Sequence, residues 1–184
     1  MTKSPLRPII FLDIDDVLCP NQLYGSSHVF DALYNPERAS TELYEGLFSR
    51  ESIYVLNQLV AEFKPAVVLT TSWLLLLQQH HFLALFNRSG LSCVASSLHD
   101  CWGAFGNLGD SRLQVIDDWL VQHHSGEPIL VLDDVNSGQS LIDSFLVESG
   151  RAVLCEEGSC LKLEHLPVAR EALRRPYSHS HPWL

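Results

Sequence analysis

A short apolar run that leads directly into three carboxylates is the feature that most restricts the fold of this chain. Residues 9–12 are Ile-Ile-Phe-Leu, and Asp13, Asp15 and Asp16 follow at once. Continuous hydrophobicity is typical of a strand covered on both faces. Clustered carboxylates repel one another and lose hydration when they are buried. We therefore expect a strand whose carboxyl end binds a cation or takes part in a reaction. The alternative is a solvated acidic loop after the strand.

The rest of the chain alternates strand-like and helix-like segments. Helical periodicity follows Ser49, which is predicted to cap a helix that ends at Pro65, and similar patterns are found near 74–87, 112–125, 139–148 and 167–173. The candidate strands are residues 9–12, 66–69, 91–95, 128–132 and 151–155. Such alternation indicates a parallel sheet with helices on both faces. We predict a three-layer α/β/α Rossmann-like fold with a parallel sheet of about five strands.

A chain of 184 residues suits one domain with a sizeable core, so residues 1–184 are predicted to form a single domain. The segment 18–48 is rich in Gly, Ser, Asn, Pro and Tyr and has no clear period. It is predicted to be a loop that forms a short flap or minimal cap over the acidic cluster. Residues 174–184 are predicted to be a flexible tail.

Composition limits the classes of partner. A hydrophobic content of 46% indicates a globular protein. The formal net charge of −10 argues against strong non-specific binding of nucleic acid, which requires a basic surface. The five cysteines are scattered and odd in number, which favours reduced thiols. No signal peptide or membrane-spanning run is visible, so a cytoplasmic location without membrane association is expected.

Polar side chains follow three of the predicted strands. Besides the first cluster, Thr70, Thr71 and Ser72 follow the second strand, and Asp133 and Asp134 follow the fourth. The carboxyl ends of parallel strands lie at one edge of the sheet, so these groups are expected to converge. Carboxylate oxygens suit a hard divalent cation, most plausibly Mg²⁺.

Such a site has the groups required for phosphoryl transfer. One carboxylate would act as nucleophile and a second as proton carrier. A hydroxyl from the second strand end would bind a phosphoryl oxygen. Arg112, near the start of the helix before the fourth strand, is the candidate for a fixed positive charge.

The segment Asp13-Ile14-Asp15-Asp16-Val17 resembles the DxDx[T/V] motif of phosphatases in the haloacid dehalogenase (HAD) superfamily. The resemblance implies that Asp13 attacks phosphorus to form an aspartyl-phosphate. It also implies that Asp15 is the general acid and base and contacts the metal through its backbone carbonyl.

Further motifs extend the resemblance over roughly residues 8–155. The hydroxyl of the second motif is assigned to Thr71, with Thr70 as the alternative. Ser72 is predicted to bind the phosphate of the substrate together with Thr71 and Arg112. The acidic pair of the fourth motif corresponds to Asp133, as direct ligand, and Asp134, acting through water.

The third motif of the superfamily is normally a lysine, and this chain departs from it. Lys3, Lys64 and Lys162 are the only lysines, and none is suitably placed. Arg112 would retain the charge, although arginine and lysine are not equivalent in geometry.

The elements Leu-Asp-x-Asp, Thr-Ser-Trp and Leu-Asp-Asp are similar to a subgroup of small HAD domains grouped with RNA-repair proteins. This resemblance implies a Mg²⁺-dependent phosphatase with little or no cap. Its substrate would be a phosphorylated small molecule, a phosphoprotein or a nucleic-acid end. Two alternatives stay open: a nucleic-acid end phosphatase of RNA repair, and a catalytically inactive binding module.

Overall fold

Strand β1 (Ile9–Leu12) is the central strand of a parallel sheet. The computed structural model describes residues 6–35, 37, 39–107 and 109–178. The other strands in these ranges are β2 (Ala66–Leu69), β3 (Leu98–Gly103), β4 (Ile129–Asp134) and β5 (Ala152–Cys155). All pairings are parallel, in the order β3-β2-β1-β4-β5. The predicted parallel α/β sheet is therefore confirmed.

Helices connect the strands and cover both faces of the sheet. They are α1 (Ser26–Tyr34), α2 (Thr41–Gly46), α3 (Arg50–Phe63), α4 (Gln79–Arg88), α5 (Ser92–Ala95), α6 (Arg112–His123), α7 (Phe145–Glu148) and α8 (Leu166–Arg174). Helix α3 begins at the predicted cap, where the Ser49 side chain accepts a hydrogen bond from the Ser52 N–H. It ends where Lys64 adopts the left-handed conformation, φ 48°, before Pro65.

Alternate residues of β1 enter two separate cores. Ile10 and Leu12 belong to the core shared with α3, α4 and α8. Ile9 and Phe11 belong to the core shared with α6, where the rings of Phe11 and Trp119 meet edge to face with centroids 5.2 Å apart. Because side chains alternate between faces along a strand, a strand apolar at every position supports both helical layers. The three-layer arrangement follows from this pattern.

The third strand lies later in the chain than predicted. Residues 91–95 are not a strand, because Ser92–Ala95 form α5 and Leu91, Val94 and Ala95 are buried at helical spacing. Strand β3 follows and is mostly half-buried. A short apolar run does not by itself distinguish strand from helix. An edge strand of mixed polarity, in turn, lacks the continuous hydrophobicity that marked the central strands.

The segment 18–48 is not simply a loop. It contains α1, which buries Val29 and Ala32, and α2, whose first turn is capped by the side chain of Ser40. The single helix predicted at 139–148 is instead a 3-10 turn, Gln139–Leu141, followed by α7. Likewise, a 3-10 turn, Ser72–Leu75, precedes α4.

The flexible tail predicted for residues 174–184 stays a prediction. Residue 174 is the last residue of α8. Residues 179–184 lie outside the described part of the chain. Among the described residues, no helix combines the length and apolar character needed to cross a membrane.

Candidate active site

The register of the sheet places three polar residues side by side at its carboxyl edge. Leu12 of β1 is aligned with Leu69 of β2 and with Leu132 of β4. The next residues are Asp13, Thr70 and Asp133. The Asp13 N–H donates to the Leu132 carbonyl, and the Thr70 N–H donates to the Leu12 carbonyl, both at 2.9 Å. Alternation along the strands directs all three side chains to the face covered by α6.

Three carboxylates meet at this edge. Oxygen atoms of Asp13, Asp133 and Asp134 lie within 4.8 Å of one another, and all three residues are buried. Burial, together with the charge of Asp133, raises the pKa of Asp13 well above its ordinary value. Burial also raises the pKa of Asp133 to about 6. The raised pKa values indicate that nearby positive charge does not fully compensate the negative charges of these carboxylates.

Arg112 supplies part of that charge, and the fold explains its position. Ser111 caps α6 by accepting a hydrogen bond from the Gln114 N–H, so Arg112 is the first residue of the helix that covers this face. Its Nε lies 2.7 Å from Asp133 Oδ2, and its Nη2 lies 3.5 Å from Asp13 Oδ1. The closer contact is a charge contact without hydrogen-bond geometry, since neither atom has a hydrogen-bond partner among the described residues.

Ser137 is a member of the cluster that the sequence did not identify. Its Oγ lies 3.3 Å from Asp13 Oδ2 and 3.4 Å from Asp133 Oδ1, and it donates a hydrogen bond to Asp134 Oδ2. Asp134 Oδ1 accepts from the N–H groups of Asn136 and Ser137 at 2.7 and 3.0 Å. Asp134 thus closes the turn after β4. The turn-forming Asn-Ser-Gly sequence was the available signal.

The cluster fits a hard divalent cation. Asp133 Oδ2 is buried and has no hydrogen-bond partner within the described ranges, although a buried carboxylate oxygen normally requires one. Added positive charge would also relieve the repulsion between Asp13 and Asp133. The carboxylates of Asp13, Asp133 and Asp134 are the groups that can hold such an ion.

The hydroxyls after β2 are not equivalent. Thr70 Oγ1 is buried and has no hydrogen-bond partner among the residues described. Thr71 Oγ1 accepts from the Trp73 N–H at 3.3 Å and caps the 3-10 turn. Ser72 Oγ lies 3.4 Å from Asp15 Oδ2. Of the two threonines that the sequence offered, Thr70 is thus the one with an unused hydroxyl beside Asp13.

The other two aspartates of the first motif point away from the carboxylate cluster. Asp15 Oδ1 accepts from Asn21 Nδ2, and Asp15 Oδ2 accepts from Trp73 Nε1, both at 2.9 Å. Asp16 has φ 54°, and its Oδ1 accepts from the Gly158 N–H at 2.9 Å. Asp16 therefore connects the loop after β1 to the segment after β5, and burial raises the pKa of its carboxyl group.

Comparison with known families and proteins gives one match. The family model described as the HAD domain in Swiss Army Knife RNA repair proteins matches residues 9–166, which include every site residue described above. Comparison with curated proteins found no match, and comparison with solved structures found none. The matched range covers β1 to the first residue of α8 and thus the whole sheet. The chain therefore belongs to the HAD superfamily, within the family of HAD domains of Swiss Army Knife RNA repair proteins, which is of the phosphatase-type hydrolase class.

Proposed function

We propose that this protein is a Mg²⁺-dependent phosphohydrolase that acts through an aspartyl-phosphate on Asp13. One observation carries the proposal: the Asp13 carboxylate, the Arg112 guanidinium and the Thr70 hydroxyl, which has no hydrogen-bond partner in the described part of the chain, converge at one edge of the sheet. A nucleophile, a hydroxyl and a fixed positive charge are what transfer of a phosphoryl group requires.

In this proposal the carboxylates of Asp13 and Asp133 hold Mg²⁺. Asp134, whose oxygens already accept hydrogen bonds from the turn after β4, would act on the ion through water. The side chain of Asp15 lies outside the carboxylate group, so any contribution of Asp15 to the ion is through its backbone carbonyl. When bound, the cation supplies positive charge that offsets both the carboxylate cluster and the charge of the phosphoryl group.

The reaction then proceeds in two steps carried by the two aspartates. A carboxylate oxygen of Asp13 attacks phosphorus, an O–P bond forms, and the bond to the leaving oxygen breaks. The leaving oxygen keeps the electron pair and takes a proton from the Asp15 carboxyl group. Water then attacks the phosphorus of the intermediate and gives its proton to Asp15, and the Asp13 carboxylate is released. The products are inorganic phosphate and an alcohol.

Arg112 and Thr70 are proposed to bind the phosphoryl oxygens. A guanidinium group presents donors that match two phosphate oxygens, and the N-terminus of α6 favours negative charge at the same place. Thr70 is preferred to Thr71 as the hydroxyl donor, because the Thr71 hydroxyl already accepts a hydrogen bond from the Trp73 N–H and caps the following turn.

We propose phosphomonoesters of small molecules or peptides as substrates. The family description refers to RNA repair, but a net charge of −10 disfavours binding of long polyanions. Oligonucleotides with a terminal phosphate are therefore the comparison substrates in activity assays. An inactive binding module is disfavoured, because burying carboxylates next to one another costs stability and a module without a ligand there gains nothing from it.

The surrounding architecture is proposed to be one domain over residues 1–184. Segment 18–48, with α1 and α2, would act as a short cap, since Asn21 within it contacts Asp15. The free thiols of all five cysteines support a reducing, cytoplasmic location.

The experiment that tests the proposal compares wild type, Asp13→Asn and Asp118→Asn. Asp118 is an exposed carboxylate on α6 and serves as the matched control. We expect Mg²⁺ to support hydrolysis of p-nitrophenyl phosphate by wild type and Asp118→Asn, and Asp13→Asn to be folded but inactive. Mg²⁺ should also raise the melting temperature of wild type. Turnover by Asp13→Asn, or turnover that persists in EDTA, contradicts the proposal.

A further inference from the structure

We propose that Trp73, together with Asn21, is a positioning residue that fixes the carboxyl group of Asp15 for proton transfer. This inference rests on the proposed function, because it assumes that Asp15 is the proton carrier. It gives roles to two residues to which the resemblance assigned none, although Trp73 is the last residue of the matched Thr-Ser-Trp element.

Each oxygen of the Asp15 side chain accepts a hydrogen bond from a side-chain nitrogen that acts only as a donor. Trp73 Nε1–H donates to Oδ2 and Asn21 Nδ2–H donates to Oδ1, each at 2.9 Å. Ser72 Oγ lies 3.4 Å from Oδ2 and adds a weaker contact. Two donors on opposite oxygens fix the plane of the carboxyl group as well as its position. Free rotation of Asp15 is thereby removed.

The tryptophan is a rigid anchor. Trp73 is 1% exposed and belongs to the main apolar core. Its backbone N–H is bonded to Thr71 Oγ1 within the 3-10 turn. An indole ring carries a single N–H in a fixed direction, so a ring held in the core determines where its hydrogen bond points. Trp73 thus connects the packed interior to Asp15.

The asparagine is held in a conformation that suits its contact. Asn21 has φ 51°, a left-handed conformation that asparagine tolerates better than most residues. Its Oδ1 accepts from the Cys19 thiol at 3.6 Å, which leaves Nδ2 for Asp15. A Cβ at Gly25 would lie 2.8 Å from the same Oδ1. The absence of a side chain at Gly25 therefore leaves room for this amide.

The arrangement keeps Asp15 apart from the other carboxylates. The oxygens of Asp13, Asp133 and Asp134 form one cluster, whereas those of Asp15 face Trp73 and Asn21. A proton carrier held in place avoids the entropic cost of finding the leaving oxygen at each turnover. Loss of the indole N–H should thus slow the step that breaks the ester bond, and most of all for leaving groups that require protonation.

The test is the dependence of kcat/KM on the leaving group for Trp73→Phe. The variant keeps an aromatic ring and removes the N–H. With phenyl phosphate, a poor leaving group, we expect kcat/KM to fall roughly 10- to 100-fold, the size expected for a lost hydrogen bond to a charged group. With p-nitrophenyl phosphate the loss should be clearly smaller. The matched control is Trp119→Phe, since Trp119 Nε1 donates to the Cys101 carbonyl at 3.1 Å, away from Asp15.

Trp119→Phe should retain the leaving-group dependence of wild type. An equal loss on both substrates for Trp73→Phe indicates a structural effect only and overturns the inference. If Trp73→Phe does not fold, Asn21→Gly replaces it, because glycine adopts the left-handed conformation of this exposed position. The same leaving-group dependence is expected there, and its absence overturns the inference equally. Activity that survives Asp13→Asn would instead overturn the proposed function, so the two failures are distinguishable.

Discussion

Arg112 Nε lies 2.7 Å from Asp133 Oδ2, yet its N–H does not form a hydrogen bond with that oxygen. Asp133 Oδ2 is thus held close to a positive charge while its hydrogen-bonding capacity is unused. Arg112 also lies 3.5 Å from Asp13, so one guanidinium group serves two buried carboxylates. This relationship explains why the charge of the cluster is only partly balanced by the protein itself.

Replacement of Arg112 should separate the effect of its charge from that of its shape. Arg112→Met leaves Asp13 and Asp133 without their cation, so we expect unfolding free energy to fall by about 3 kcal/mol and turnover to be lost. Arg112→Lys keeps the charge but not the planar group, and should retain more stability and activity than Arg112→Met. Urea denaturation and steady-state kinetics measure the two effects. Equal behaviour of both variants would show that the charge does not matter.

The two threonines after β2 should respond in opposite ways. Thr70→Val removes a buried hydroxyl that has no partner within the described residues, so stability should be unchanged or rise by about 1 kcal/mol. Its kcat/KM should fall by about 10-fold or more if the hydroxyl binds a phosphoryl oxygen.

Thr71→Val is the matched control because it changes the same atoms one residue later. It removes the cap of the 3-10 turn, so we expect a loss of about 1 kcal/mol and a smaller effect on kcat/KM. Thermal denaturation and kinetics with p-nitrophenyl phosphate measure both variants. The reverse order of effects would assign the phosphate contact to Thr71.

Without metal, the contribution of Asp13 and Asp133 to stability should fall as the pH rises towards neutrality. The pKa of Asp133 is raised to about 6 and that of Asp13 is raised well above its ordinary value, both mainly by burial. The folded protein therefore binds protons more tightly than the unfolded chain. This contribution is fully present below about pH 4, the ordinary aspartate pKa, and is lost as the pH rises through the folded pKa values.

Urea denaturation in EDTA between about pH 5 and about pH 8, a range that includes the raised pKa of Asp133 at about 6, measures this loss. We expect it to be on the order of 1 to 3 kcal/mol. Asp133→Asn should flatten the dependence, and saturating Mg²⁺ should do the same in wild type. Asp118→Asn should keep the slope of wild type.

Burial lowers the pKa of His81, His99 and His165, which by itself makes stability rise over this range. The test is therefore the difference in stability between wild type and Asp133→Asn. A difference that grows in favour of wild type as the pH rises is incompatible with a raised pKa of Asp133.

Gly138 should be intolerant of a methyl group. A Cβ there would lie 2.5 Å from the Asp134 carbonyl oxygen and 3.3 Å from Asp133 Cγ. We expect Gly138→Ala to cost roughly 1 to 3 kcal/mol and to weaken stabilisation by Mg²⁺, because the turn that follows Asp133 and Asp134 at the end of β4 must move. Thermal shift with and without Mg²⁺ measures both effects.

Gly46→Ala is the control for this substitution. Its Cβ would lie 3.0 Å from an atom of the Tyr24 ring, which is a side chain rather than backbone. Because Gly46 ends α2, alanine should leave stability nearly unchanged and should not alter the response to Mg²⁺. A loss of Mg²⁺ stabilisation in both variants would show that the effect of Gly138→Ala is not local.

Much of the central fold could be predicted because its signals are local. The apolar runs at β1, β2 and β4 are continuous since these strands are covered on both faces. Edge strand β3 has no such pattern, because it is mostly half-buried. Helices α1 and α2 bury few side chains, so their apolar periodicity was too weak to distinguish them from a loop.

The candidate site was accessible from the sequence only where residue type alone was informative. Carboxylates directly after apolar strands marked Asp13 and Asp133, and a cation near a predicted helix start marked Arg112. Ser137 carries no such signal, and Trp73 was noticed only as the last residue of the Thr-Ser-Trp element, with no role attached to it. A serine in a turn and a tryptophan in an apolar run are common, and their contacts with Asp134 and Asp15 depend on how distant segments pack.

The sequence by itself determined the central strands β1, β2 and β4 and the polar residues at their ends, because hydrophobic periodicity and residue type are properties of the chain. Only the tertiary structure decided that Thr70 rather than Thr71 lies beside Asp13 with a hydroxyl that has no hydrogen-bond partner among the described residues, and that Asp15 faces Trp73 and Asn21. The physical reason is that the register between strands and the packing of side chains across them select which face, and which partner, each polar group meets.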